Sequence, residues 1–112
     1  MKGAILALFL FLSLAIVLPG LALAETTAVQ DLRRGMPATV DGMIERITDD
    51  DEFLLADETG SILVYIGPNP MPVRAGDRVR VSGAVDDDGP LEFYATEVTL
   101  PDGKVVPLPN RD

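Results

Sequence analysis

Three features predict an all-β fold built as a small Greek-key barrel. Five short segments alternate apolar with polar residues, turn clusters rich in Asp and Gly separate most of them, and a glycine interrupts the first and the fourth. A short helix is expected before the barrel, and an apolar leader before both.

The leader comes first in the chain. Lys2 gives a positive start, Ala4 to Leu18 is apolar apart from Ser13, Pro19-Gly20 ends any helix, and Ala22-Leu23-Ala24 is a small-x-small cleavage pattern. That order predicts a secretory signal peptide over 1–24, removed to expose Glu25. An uncleaved anchor would need about 20 apolar residues in one helix, and the Pro-Gly pair argues against it. No stable membrane insertion is expected after cleavage, and the absence of Cys excludes a lipid-modified N-terminus.

Residues 25–36 read as a segment holding a short helix from Thr26 to Met36. Thr26 or Thr27 would cap it, Val29 and Leu32 would share a face, and Gly35 would end it. The barrel is expected over 37–101. Its first strand, Thr39 to Ile47, carries Val40, Gly42 and Ile44 in alternation, and Ile47 falls out of phase, which predicts a bulge near Glu45-Arg46 or an outward Ile47. Strand two, Glu52 to Ala56, turns inward Phe53 and Leu55, and strand three, Ser61 to Ile66, turns inward Ile62, Val64 and Ile66. The Asp57–Gly60 turn would pair Leu55 with Ile62 and Phe53 with Val64, so that inward meets inward.

Pro68, Pro70 and Pro72 make the next connection extended and irregular. Arg78 to Val85 is strand four. Leu91 to Leu100 is strand five, with a bulge expected near Thr96-Glu97. The tail, 102–112, reads as mostly irregular because of Pro107 and Pro109. Five strands, a long connection after the third, and Gly42 and Gly83 at sharp bends describe a five-stranded barrel of the OB type.

Three stretches carry a family resemblance. Val40-Asp41-Gly42-Met43-Ile44, then 53–64 with its Asp57-Glu58-Thr59-Gly60 turn, then Val79 to Asp86, resemble the bacterial OB-fold (BOF) family, and Glu92 to Val98 fits its closing strand. The resemblance spans roughly residues 30 to 100. It implies an OB barrel, a periplasmic location and a link to stress tolerance. The proline-rich Gly67–Val73 stretch departs from the acidic and aromatic helical segment that the family often has there, so that segment's role is not carried over.

Composition narrows the chemistry. The chain has no His and no Cys, which removes the usual general base, the thiol nucleophile and the common ligands of zinc, copper and haem iron. No enzyme activity and no cofactor are expected. Nine basic residues face 18 acidic ones, a net charge of −9 that becomes −10 once Lys2 leaves with the leader. Nucleic acid is disfavoured as a ligand, since its binders present a basic footprint.

Two sets of residues are candidates for binding. Asp49, Asp50, Asp51 and Glu52 lie between strands one and two, and Asp86, Asp87 and Asp88 between strands four and five; in an OB barrel those loops flank one face. They are either solvated turns or an acidic face for a basic partner or a weakly held cation, the latter at Asp50, Asp51, Asp87 and Asp88. The second set is Met43, Leu54, Leu63 and Tyr65, outward apolar residues of strands one to three. The N-terminal helix or the tail covers them, or they form a partner site. The expected function is a periplasmic OB-fold binding module with an accessory role in envelope stress tolerance. Its ligand would be cationic or mixed polar: a protein, a peptide, a cation or a cell-wall fragment. The alternative is a structural subunit docking through the apolar outer face of strands one to three.

Overall fold

The computed structural model describes residues 25–111. The leader expected over 1–24 lies outside them, and among the described residues no helix is long and apolar enough to cross a membrane. Six strands follow in order: β1 (Pro37–Asp49), β2 (Glu52–Asp57), β3 (Gly60–Tyr65), β4 (Arg78–Val85), β5 (Glu92–Thr99) and β6 (Val105–Pro107). Their order in the sheet is β3-β2-β1-β4-β5-β6, and a parallel pairing of β3 with β5 closes the first five into a barrel.

β1 is long enough to serve two neighbours. Pro37–Met43 pairs with β4 and Met43–Asp49 with β2. Close approach at two crossings demands glycine: a Cβ on Gly42 would sit 2.5 Å from the Ala56 carbonyl oxygen, and one on Gly83 would sit 2.0 Å from that of Tyr94. Bulges fall where the phase slips predicted them. β1 shifts register between Ile44 and Arg46, and β4 shifts between Ser82 and Gly83, leaving Thr96 unpaired on β5. In the β2–β3 hairpin Leu55 pairs with Ile62 and Phe53 with Val64. The inward residues of all five strands form one core, in which Val40, Phe53, Leu55, Val64, Val81, Phe93 and Val98 are fully buried.

The expected helix over 26–36 shrinks to a single 3-10 turn, Val29–Asp31, with no side-chain cap. Its amides are claimed from far along the chain. Val29 N–H donates to Asp57 Oδ2 (2.8 Å), Gln30 N–H to Thr59 Oγ1 (3.0 Å), and Thr27 N–H to the Thr39 carbonyl (2.7 Å). Val29 and Leu32 enter the core, with Val29 against Gly60, so this segment is pinned at the β2–β3 turn. Burial pushes the Asp57 carboxyl up, but the Thr59 hydroxyl and then the amides of Val29, Thr59 and Gly60 outweigh it and hold it below its usual value. Its contribution to stability is present above that usual value and is lost as pH falls through the lowered one.

The tail is less irregular than its prolines suggest. Val105–Pro107 pairs antiparallel with Glu97–Thr99 of β5, and Leu108 N–H continues the ladder to the Thr96 carbonyl (2.9 Å). Beyond it Asn69, in the proline-rich connection, works as a clamp. Its side-chain amide donates to the carbonyls of Ile66 (2.7 Å) and Asn110 (3.2 Å), and its Oδ1 accepts the Asn110 N–H (3.3 Å). Removing a buried amide that satisfies three backbone groups costs about 2 kcal/mol. Asn69→Ala is therefore expected to lower the urea midpoint and to speed hydrogen exchange at Leu108 and Asn110. Unchanged exchange there would show that the tail holds itself.

Candidate functional site

The outward residues of β2, β3 and β5 make the face of interest. β2 turns out Glu52 and Leu54, β3 turns out Leu63 and Tyr65, and β5 turns out Glu92 and Tyr94, because Phe53, Leu55, Ile62, Val64, Phe93 and Ala95 between and beside them point into the core. The register sets the rows. Leu54 lies opposite Leu63, which lies opposite Glu92; Glu52 lies opposite Tyr65, which lies opposite Tyr94. The two tyrosine rings meet at 5.3 Å between centroids, tilted by 53°.

Neither the N-terminal turn nor the tail takes this face as its seat. The first is anchored at Asp57–Gly60 and the second along Glu97–Thr99, and each sends its main apolar side chains, Val29, Leu32 and Leu108, into the core. Leu54, Leu63 and Tyr65 stay half-buried, and Tyr94 is 39% exposed. Met43 stands apart. It lies opposite Ala56 and Arg78 and lines a separate open groove of ≈640 Å³ with Asp41, Glu45 and Glu58.

Both acidic loops border the face. Ile66 N–H donates to the Asp51 carbonyl (2.9 Å), which ties the β1–β2 loop to the end of β3, and Asp86 N–H donates to the Glu92 carbonyl (2.8 Å), which ties the β4–β5 loop to the start of β5. They converge electrostatically on Glu92. Burial pushes its carboxyl up first; a hydrogen bond with Glu52 and the charges of Glu52, Asp86 and Asp51 push it further, to about 7. A raised carboxyl binds its proton more tightly in the folded chain than in the unfolded one. This group's stabilisation is complete below its ordinary value of 4.5 and is lost as pH rises through about 7.

The four carboxylates expected to share a cation do not form one group. Among the described residues the group of three or more acidic side chains whose oxygens come within 4.8 Å of one another is Asp86, Asp87 and Asp88, all in one turn. The Asp49 carboxylate is engaged locally, its Oδ1 accepting the Asp50 N–H (2.7 Å), while Glu52 Oε1 accepts the Thr48 hydroxyl (2.9 Å). On the other side of the β4–β5 turn the Arg34 guanidinium donates to the Gly89 carbonyl.

Nothing local in the sequence marks Glu92 and Tyr94 as site residues. Their outward phase on strand five is readable from Phe93 and Ala95. The parallel pairing that sets them beside Leu63 and Tyr65 is not a local property of the chain.

Comparison with known proteins places this geometry in a family. A search of curated proteins returned no match. Among solved structures, the hypothetical protein ygiW from E. coli is 27% identical, with a TM-score of 0.60 over 69% of this chain and 90% of that one. A domain of replication protein A from Methanococcus maripaludis, 21% identical, superposes with a TM-score of 0.58 over 68% of this chain and 94% of that one, a likeness of fold alone. The family model described as Bacterial OB fold (BOF) protein matches residues 21–99. With the closed five-stranded barrel and that match over most of its length, the chain belongs to the bacterial OB fold family.

Proposed function

We propose that this protein is an exported binding module that takes a basic polypeptide on the outer face of β2, β3 and β5. One observation carries the reading: a leucine pair and a tyrosine pair lie in adjacent rows of one face, Glu92 completing the leucine row and Glu52 the tyrosine row, with both acidic loops at the rim. Leucine and tyrosine supply area that gains from leaving water. The carboxylates select a cationic partner and repel nucleic acid, in keeping with a net charge of −9. Catalysis has no comparable support, since the chain holds neither His nor Cys. The apolar leader supports export to the periplasm, where the recovered protein would begin at Glu25. The family resemblance supports an accessory role in envelope stress tolerance.

A peptide of alternating Lys and Leu is a direct probe. It is expected to bind the chain 25–112 at low salt, to weaken about tenfold between 20 mM and 200 mM NaCl as the charges are screened, and to be lost in Leu63→Ser. An alternating Glu and Leu peptide and a single-stranded oligonucleotide should not bind. Binding that ignores salt would favour the alternative, a structural subunit docking through the Leu54–Leu63 patch. No binding of the basic peptide at low salt would end the proposal.

A further inference from the structure

We infer that the face exchanges a proton for its basic partner: the Glu52–Glu92 pair holds one proton across β3 while the face is empty and gives it up when a Lys or Arg side chain is seated there. The inference rests on the docking proposed above and adds its regulation.

The register builds the pair. Glu52 and Glu92 sit on the two strands that flank β3, one row apart on its outer face, and their carboxyls hydrogen-bond each other. Two carboxyls brought together on a half-buried surface are favoured with one shared proton, because a second charge meets the first without enough water to screen it. The surroundings deepen this. Asp51 from the β1–β2 loop and Asp86 from the β4–β5 loop add negative charge, and both help to raise Glu92. From β1 come the Thr48 hydroxyl, which donates to Glu52, and Arg46, exposed and opposite Leu54. Tyr65 on β3 and Tyr94 on β5 complete the ring of titratable groups. The Thr48 hydroxyl already donates to Glu52 Oε1, and it is the Glu92 carboxyl that is pushed up.

A cation set between the two carboxylates reverses the balance. It stabilises both in the charged form, so the proton leaves as the partner binds, and linkage then ties affinity to pH. With a free-state value of about 7, most empty faces hold the proton at pH 6 and few do at pH 8. One released proton makes binding about tenfold tighter at pH 8 than at pH 6. Screening at a fixed ionic strength predicts no such trend.

Calorimetric titration of the Lys-Leu peptide into the chain 25–112 tests this, run at pH 6 and pH 8 in phosphate and in Tris-type buffers of different ionisation enthalpy. The expected result is nearly one proton released per peptide at pH 6, almost none at pH 8, and about tenfold tighter binding at pH 8. Glu92→Gln should bind with no proton release and with equal affinity at the two pH values, while Glu58→Gln, in the β2–β3 turn, should behave as the wild type. Peptide binding with no proton release at pH 6 would overturn the inference and leave the docking face standing. Release that persists undiminished in Glu92→Gln would overturn it as well. Failure of the peptide to bind at either pH would remove the docking proposal and this inference with it.

Discussion

A single methyl group added at Gly83 is expected to destabilise the barrel by about 3–5 kcal/mol. The Cβ of Gly83→Ala would lie 2.0 Å from the Tyr94 carbonyl oxygen and 2.9 Å from the Ala95 Cα. Both obstacles are backbone, so no side-chain rotation relieves them. β4 would have to lift away from β5 at the bulge, where Thr96 is the extra residue and its hydroxyl bonds the Ser82 carbonyl (3.2 Å). A chain of this size has roughly 5–10 kcal/mol in total, so the variant would stand near its unfolding threshold. Gly42→Ala, whose Cβ would meet the Ala56 carbonyl oxygen at 2.5 Å, should fall in the same direction by a smaller amount. Chemical denaturation of the two variants beside the wild type measures this, and a Gly83→Ala midpoint equal to wild type would mean that the strands do not cross there as closely as described.

Val64→Asp should leave no cooperatively folded protein. Val64 is fully buried at the seam of the barrel, paired with Phe53 on β2 and Phe93 on β5. A carboxylate there has no partner and no water, at a cost of several kcal/mol in either protonation state. Loss of Val64 also opens the short parallel pairing by which β3 and β5 close the sheet. Thr99→Asp is the control. Thr99 is half-buried on β5, opposite Arg80 and Val105, and a new carboxylate beside that guanidinium should shift stability by no more than about 0.5 kcal/mol. Thermal melts followed by circular dichroism compare the two, and equal melting temperatures would show that the inward and outward phases are misassigned.

What the sequence made legible follows the range of the forces involved. The β2–β3 hairpin was readable to the residue, because a period of two and a turn of known length leave one register that buries both halves. The bulges were readable for the same reason: Ile47 out of step with Ile44, and Val98 out of step with Ala95, each betray an extra residue. The segment 26–36 misled because Thr, Val and Leu spacing describes a helix in isolation, while Asp57 and Thr59, more than twenty residues away, take its first amides. β6 was hidden by prolines that mark irregular chain locally yet sit where the ladder needs no donor. At the site, the acidic loops and Leu54, Leu63 and Tyr65 were visible one by one. Their assembly with Glu92 and Tyr94 was not, since the β3–β5 pairing joins strands separated by the whole of β4.

The prolines of the tail decide how other chains can approach. Leu108 N–H points inward to β5, so the alternate positions whose amides would point outward are 107 and 109, and both are proline. A stray extended peptide arriving at that border finds no N–H to bond at two successive steps, which disfavours strand-by-strand growth from one molecule to the next. The sheet therefore ends in a border short of backbone donors. Under the docking proposed above, recognition falls to the side chains of β2, β3 and β5 and not to the backbone, which would accept almost any strand.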